Sequence, residues 1–413
     1  MLSTDYIRNN AQKLKEAAKN KNRVVDIDQI IALDDQRKEL HHKIQLLRQE
    51  RNTVAKSKDI ERGKQIKEEL RTLEQDETHV SEQLTPLLLQ VPNVPLDVVP
   101  VGADETSNVE IKKWGTTPSF TFTPKSHEEL GKNLGLLEME RGSKVSGFRG
   151  YFLKGQLAQL HFGVLMFALQ TLIKKGFTPL TAPSVVKEFT LFGSGQFPWG
   201  QQDVYKLNDD DAYLAGTGEV AVTAFHANET LTEQELPKKY VTLSPCYRKE
   251  AGSYGKDTKG LYRVHEFMKV EQVVIMKNDV AEAIQMHELL QQNAEEILQA
   301  LELPYRVLRM CTGDMGEPQI LKYDTETWMP SRNGYGETMS NSIMGDFQLR
   351  RLNTRYRTSD NKTEFCFSLN DTAAASPRIL IPLLENHQQE DGSVLIPKAL
   401  QPFVGFSKIE SAH

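Results

Sequence analysis

The chain reads as an α+β protein, with an N-terminal antiparallel α-helical coiled-coil arm and then a domain built on an antiparallel β-sheet flanked by helices. Three observations point there. Apolar residues recur at heptad spacing from about 30 to 87, a proline-rich segment follows, and beyond it strand-like hairpins are interleaved with helical stretches.

In the arm, Ile30, Leu33, Leu40, Ile44, Leu47 and Val54 fall on alternating steps of three and four, with Arg37 and Arg51 in the two remaining core slots. The stripe lapses over AKSKDIERG (55–63). It resumes at Ile66, Leu70, Leu73, Val80, Leu84 and Leu87, with Glu77 in a core slot. A turn in the gap gives a helical hairpin over about 27–90. Helices of about 25 to 30 residues would reach roughly 40 Å at about 1.5 Å per residue. Arg48, Arg51, Lys56, Lys58, Arg62, Lys64 and Lys67 gather near the turn, diluted by Glu50, Asp59, Glu61, Glu68 and Glu69. Taken alone, such an arm suits dimerisation or spacing as well as nucleic-acid binding.

The segment VPNVPLDVVPVGADETSNVE (91–110) breaks the helix with prolines and then turns acidic, as a linker does. It sets an expected boundary near residue 105, giving domains 1–105 and 106–413. Downstream come a helix near 155–175, the extended FTPLTAPSVV (177–186), a charged hairpin, a helix near 280–301 and more strands to 365–369. Strands returning through hairpins favour an antiparallel sheet over a doubly wound parallel one.

The hairpin, PCYRKEAGSYGKDTKGLYRVHEFMKVE (245–271), concentrates charge where a half-buried sheet normally avoids it. Strand-like runs at 241–248 and 261–275 flank a loop rich in Gly, Ser, Lys and Asp. Arg248, Glu250, Arg263 and Glu271 are expected on the paired strands, where alternation can aim several at one face. A site is one reading, and an edge hairpin with solvated ion pairs is the other.

At 413 residues and 39% apolar content the chain can bury a sizeable core in two or three domains. A net charge of -6 argues against indiscriminate coating of nucleic acid, which draws on phosphate neutralisation, but leaves local basic patches open. Cys246, Cys311 and Cys366 are widely spaced with no CxxC pair, so buried thiols are expected and neither a disulfide framework nor a zinc site. No uninterrupted run of 18 apolar residues and no signal-type opening stretch are evident, so a non-membrane, cytoplasmic protein is the expectation.

The charged hairpin resembles motif 2 of class II aminoacyl-tRNA synthetases, and its wording is similar to that of the seryl-tRNA synthetases of bacterial type. GFTPLTAPSVV, with Pro183, resembles motif 1 at the dimer interface, and LNDTAAASPRILIPLLENHQ (369–388) resembles motif 3. FGSGQFP (192–198), TGE (217–219), CTGDMG (311–316) and DFQLRR (346–351) occur in the family's order. With the arm included, the resemblance covers essentially the whole chain.

The resemblance implies a homodimeric enzyme that activates L-serine with ATP to seryl-adenylate and pyrophosphate, then transfers serine to the 3′-terminal adenosine of tRNA(Ser), with tRNA(Sec) a further candidate. It implies ATP and Mg²⁺ and no zinc. Arg248, Glu250 and Arg378 match the catalytic set, with Arg248 at the α-phosphate, Glu250 near the adenine amino group and Arg263 near the outer phosphates. Lys249, Thr338 and Met339 match further ATP-site positions, Phe267 and Arg378 the pair that sandwich adenine, and Glu337 and Ser340 the Mg²⁺ and phosphate ligands. Thr217, Gly218, Glu219, Glu271, Asn370 and Thr372 match the serine pocket. Such a pocket rejects alanine because a missing hydroxyl leaves buried polar groups unpaired. Arg48, Arg51, Lys56, Lys58, Arg62 and Lys64 are implied to meet the tRNA's long variable arm, and Lys256 and Lys259 its acceptor end.

Several positions depart from the commoner bacterial pattern: Gly218 for alanine, Asp371, Ala373 and Pro377 where glycines are frequent, and Ile343 for asparagine. Asp371 is expected to bring a negative charge close to the serine pocket. Two rival readings are an amino acid:carrier-protein ligase of related fold and a non-catalytic tRNA-binding paralogue. The heptads speak against the first, and Arg248, Glu250, Glu271, Glu337 and Arg378 against the second.

Overall fold

The N-terminal unit, Met1–Val94, comprises α1 (Thr4–Asn9), α2 (Ala11–Asn20), α3 (Ile27–Ser57) and α4 (Ile60–Leu89). This computed structural model describes residues 2–57, 59–208, 210–251 and 260–410, so Lys58, Lys256 and Lys259 lie outside the described residues. At 31 and 30 residues, α3 and α4 each run roughly 45 Å at about 1.5 Å per residue. Their pairing is antiparallel. Ile44 is buried with Ile66 and Leu70, while Ile30 and Leu33 cluster with Leu84 nearer the base. The connection is shorter than the lapse in the heptads suggests, because Asp59 caps α4 by accepting from the Arg62 N–H at 3.0 Å and lets the helix start before its apolar stripe does. Two of the three polar core slots find partners, Arg37 donating to the fully buried Asp34 at 2.9 Å and Glu77 meeting His41 at 2.9 Å, while Arg51 is exposed.

The second unit is Pro95–His413. Residues 95–105, expected before the boundary, belong to it: Leu96 N–H donates to Ile320 O, and Val99 is buried in the larger core. Its largest sheet contains β1 (Val109–Trp114), β2 (Thr178–Leu180), β3 (Lys238–Tyr247), β4 (Glu266–Met276), β5 (Tyr305–Arg309), β6 (Leu321–Met329), β7 (Gly334–Gly345) and β8 (Phe367–Ser376). These eight strands lie in the order β1-β5-β6-β7-β8-β4-β3-β2. Neighbours are antiparallel except β2 and β3, a parallel edge pair that the expectation of an antiparallel sheet did not include.

The helices that matter to the site are α5 (His127–Asn133), α6 (Gln156–Lys174), α7 (Glu219–Thr223), α8 (Val280–Ala300), α9 (Phe347–Arg351) and α10 (Leu380–Asn386). Leu157, Leu160, Val164 and Leu165 of α6 share one core with Leu290 and Ile297 of α8 and with Val274 and Leu369 of the sheet. By length and composition α6 is apolar enough to cross a membrane, which a search for uninterrupted apolar runs misses because Gln159 and His161 intervene. Here its buried residues pack against strands.

The hairpin departs from expectation in one respect. β3 ends at Tyr247 and β4 begins at Glu266, so of the four charged residues only Glu271 lies on a strand. Arg248, Glu250 and Arg263 occupy the irregular segments beyond, tied across by Arg248 N–H to His265 O at 2.9 Å. Glu250 adopts a φ of 54°, which a regular strand does not allow.

Candidate active site

A cavity of about 300 Å³ opens over the middle of the sheet where β4, β8, β7 and β6 lie side by side. Alternation along β8 sends Asn370 and Thr372 into it and Asp371 to the other face. There Asp371 Oδ2 accepts from Gln272 Nε2 at 2.9 Å, and Gln272 Oε1 accepts from Asn293 of α8 at 2.8 Å. The expected charge beside the pocket is therefore displaced to the opposite side of the sheet, where burial, and then Glu271, push the Asp371 carboxyl well above its usual range. Ile343 and Ala373 are buried in the core, and Pro377 lines the cavity.

One part of the cavity is cationic. Arg248, Arg263, Lys322 and Arg378 line it. Arg248 Nε donates to Gly216 O at 3.1 Å, and its guanidinium lies 5.3 Å over the Phe267 ring. Arg378 Nε donates to Tyr262 O at 2.9 Å and Nη1 to Glu337 O at 3.2 Å, with the guanidinium 4.5 Å over the Tyr262 ring. Arg263 Nη1 donates to Glu250 Oε2 at 3.3 Å, and Arg149 reaches the same oxygen at 4.0 Å. Glu250 thus holds two arginines.

Carboxylates and hydroxyls border the cations. Burial acts to raise the Glu337 carboxyl, but Arg378, Lys322, Arg248 and Arg263 outweigh it and hold the group below its ordinary value. For Lys322 burial is likewise overcome, here by Asp324 and Glu337, which push the ammonium up to about 12. Asp324 moves up to about 6, first through burial, with Lys322 opposing and Glu337 reinforcing. Its Oδ1 is buried with no hydrogen-bond partner among the described residues, and Ser340 sits opposite it on β7. An ionised carboxylate and a hydroxyl are hard oxygen donors of the kind Mg²⁺ takes, so Glu337 and Ser340 fit that ion.

The other part is lined by polar side chains. Thr217 is buried and its Oγ1 accepts from the Glu219 N–H at 3.2 Å, fixing the start of α7. Glu219 Oε1 accepts from Gln348 Nε2 at 2.6 Å. Burial and then Glu271 push the Glu219 carboxyl up to about 7 against the pull of Gln348, Lys269 and Arg248. Asn370 Nδ2 is a buried donor with no hydrogen-bond partner among the described residues. Thr372 completes this wall.

Of the residues singled out in the sequence, Thr217, Glu219, Arg248, Glu250, Arg263, Phe267, Glu337, Thr338, Met339, Ser340, Asn370, Thr372 and Arg378 line one cavity. Three do not line it. Gly218 lies behind the wall, where an added Cβ would come within 2.5 Å of Thr242 Cγ2 and 2.7 Å of Ser244 Oγ, so the departure from alanine matches tight packing. The ammonium of Lys249 lies 5.5 Å over the Tyr205 ring, while its backbone N–H donates to Asp203 O. Glu271 is buried one layer down, ion-paired to Lys269, and it is Lys269 that reaches the cavity.

Lys269, Lys322, Gln196, Gln319 and Ser342 line the cavity unforeseen, as does Tyr262. Lys269 stands two residues before Glu271 and two after Phe267, an alternation that could have revealed it. A second cavity of about 510 Å³ shares Gln196, Glu219, Arg248, Glu250 and Arg263 and extends past Trp199, Tyr247 and Pro318. On the arm, Arg62 is engaged by Glu50 at 2.8 Å and Glu69 at 3.1 Å, and Arg48 by Glu74 at 2.9 Å, whereas Arg51, Lys56 and Lys64 are exposed.

Residues 203–387 match the family model of the tRNA synthetase class II core domain (G, H, P, S and T), and residues 1–95 match the seryl-tRNA synthetase N-terminal domain. A serine–tRNA ligase from Deinococcus radiodurans is 46% identical, with 98% of each chain covered. The crystal structure of seryl-tRNA synthetase from Pyrococcus horikoshii complexed with ATP superposes with a TM-score of 0.94 at 37% identity, with 100% of both chains covered. The cytoplasmic serine–tRNA ligase of Naegleria fowleri in complex with AMP gives 0.88 at 29% identity, covering 99% of this chain and 97% of that one. With both domains matched in order and a relative nearly half identical along its full length, the chain belongs to the seryl-tRNA synthetase family of class II aminoacyl-tRNA synthetases.

Proposed function

We propose that the cavity binds ATP at its cationic part and L-serine at the Glu219–Asn370 part, joins them as seryl-adenylate, and delivers the seryl group to tRNA(Ser). In the first step a serine carboxylate oxygen bonds to the α-phosphorus and the bond to pyrophosphate breaks. In the second a hydroxyl of the terminal adenosine attacks the acyl carbon and AMP leaves. The observation that carries this reading is the meeting of Arg248, Arg263, Lys322 and Arg378 with Glu219, Asn370 and Thr372 around one cavity. Phosphoryl transfer is driven by positioning and by fixed positive charge where negative charge develops.

In this assignment Arg248, already oriented by Gly216 O, stabilises the α-phosphate oxygens, and Phe267 and Arg378 offer an aromatic face and a guanidinium plane to adenine. Glu250 keeps Arg263 directed at the outer phosphates through their 3.3 Å contact. Glu219 receives the serine ammonium, with Glu271 and Lys269 setting the field behind it, and the unpartnered Asn370 Nδ2 donates to a serine oxygen. Mg²⁺, held by Glu337, Ser340 and phosphate oxygens, would neutralise phosphate charge when bound. The second cavity, sharing Glu219 and Arg248, gives the acceptor end a route to the acyl carbon.

The N-terminal unit is assigned to tRNA, with Arg51, Lys56 and Lys64 as its exposed cations, in keeping with recognition by shape and backbone. A homodimer, a cytoplasmic location and charging of tRNA(Sec) belong to the same proposal. The carrier-protein alternative draws no support from relatives that share the arm. The test is ATP/pyrophosphate exchange by purified protein with Mg²⁺. Exchange that depends on serine is expected, and its absence in folded protein would reject the enzymatic reading.

A further inference from the structure

Behind the cationic part of the cavity lies a buried pair that the reaction as described does not use. Glu385 of α10 is fully buried, and its carboxylate accepts four hydrogen bonds. They come from the His127 N–H at 3.0 Å, His127 Nδ1 at 2.8 Å, the Ser331 N–H at 3.0 Å and Ser331 Oγ at 2.8 Å. The far side of the His127 ring faces a donor: the Leu261 N–H points at Nε2 across 3.2 Å. Nε2 must therefore be the acceptor, which leaves the proton on Nδ1, where the carboxylate accepts it. The ring passes order from Glu385 to a backbone N–H that no strand satisfies.

That N–H begins a segment pinned at both ends. Leu261 is held by His127, Tyr262 O by Arg378 Nε, and Arg263 follows, reaching Glu250. Ser331, on the other side of Glu385, precedes Arg332, whose guanidinium lies 4.0 Å over the Tyr262 ring that Arg378 also covers. The Gly260 backbone also closes on the ring, since a Cβ there would fall 2.2 Å from His127 Nε2.

We propose that His127 and Glu385 are positioning residues for the nucleotide end of the site, setting Leu261, Tyr262 and Arg263 so that Arg263 and Arg378 meet the phosphates and the adenine. The inference rests on the reading that this end binds ATP. Loss of the imidazole orphans a buried N–H next to Arg263 and leaves the serine wall untouched.

The experiment compares wild type, H127L and H127Q in serine-dependent ATP/pyrophosphate exchange, with KM measured for ATP and for serine. H127L should raise the ATP KM roughly tenfold, the scale of one buried unsatisfied donor, with the serine KM unchanged. H127Q, which keeps a donor and an acceptor on one amide, should recover most of the loss. A folded H127L with native ATP KM, an equal rise in both KM values, or an H127Q no better than H127L would overturn the proposal. In parallel, ¹⁵N spectra of the wild-type imidazoles, assigned by the signal lost in H127Q, should show His127 protonated on Nδ1 alone. An Nε2-protonated ring would refute the pair's role whether or not H127L folds. Failure of wild type to support exchange would instead strike the ATP reading, which the spectrum does not depend on.

Discussion

Gln348 Nε2 donates to Glu219 Oε1 at 2.6 Å while Gln348 Oε1 accepts from Ser368 Oγ at 2.7 Å, so the amide is locked in the one orientation that presents a donor to the carboxylate. Both links are made by buried or half-buried groups, where a hydrogen bond to a charged partner carries more weight than at the surface. Replacing this donor by an apolar side chain, Q348L, should leave Glu219 harder to ionise. The serine KM should rise roughly tenfold, on the scale of a lost charge-assisted hydrogen bond, while the ATP KM holds. Steady-state exchange kinetics read both constants.

Glu219 also gives the enzyme a pH signature. Its carboxyl is moved from an ordinary 4.5 up to about 7, by burial first and by Glu271 second. Serine presents an ammonium and prefers the ionised form, so the serine KM should fall as pH rises from 6 towards 8 and then level. The effect on stability has the opposite sense. Because the folded value is raised, the folded state holds the proton more tightly, so this group's contribution is complete below the unfolded value and is lost as pH rises through about 7. The melting temperature of E219Q should therefore decline less between pH 5 and pH 8 than that of the wild type.

Asp371 offers a contrast between adjacent residues on one strand. It is buried against Gln272, on the face away from the cavity, with its carboxyl shifted well upward by burial. D371N preserves the shape and removes the proton equilibrium, so the serine KM should be unchanged. The raised carboxyl costs stability as pH rises, so D371N should melt higher than wild type in alkaline buffer and alike in acid. A changed serine KM would return Asp371 to the pocket.

The arm should be separable from the chemistry. The triple variant R51A/K56A/K64A removes exposed cations from the arm without touching the cavity. Exchange should stay at the wild-type level. Charging of tRNA(Ser) should weaken, and the log–log salt slope of tRNA binding should fall by roughly two if these cations meet phosphates. Filter binding across a salt series measures it.

Much of the fold and site was legible because it is written in local patterns. Heptads announced α3 and α4, and grouped motifs such as Thr217–Glu219 and Arg248 marked the cavity. What escaped was set by tertiary neighbours. Lys322 and Gln348 matter through Asp324, Glu337 and Glu219, which are distant or unremarkable in the chain. His127 and Glu385 lie 258 positions apart, and neither carries a pattern of its own. Strand alternation misled at Arg248, Glu250 and Arg263, which sit beyond the ladder, and Lys249, also beyond it, turns its side chain to Tyr205 instead of the cavity. Asp371 was placed by adjacency to Thr372, although neighbours on a strand face opposite ways.

A single assay addresses the proposed joining of a nucleotide site and a serine site in one cavity. Purified protein is given ATP, Mg²⁺, tRNA(Ser) and serine, threonine, alanine or glycine in turn, and aminoacyl-tRNA is measured. Serine should be transferred efficiently, with alanine and glycine rejected because each leaves the buried Asn370 Nδ2 without the substrate hydroxyl. Comparable charging with alanine, or no charging with serine by protein that is folded and binds tRNA, would contradict it.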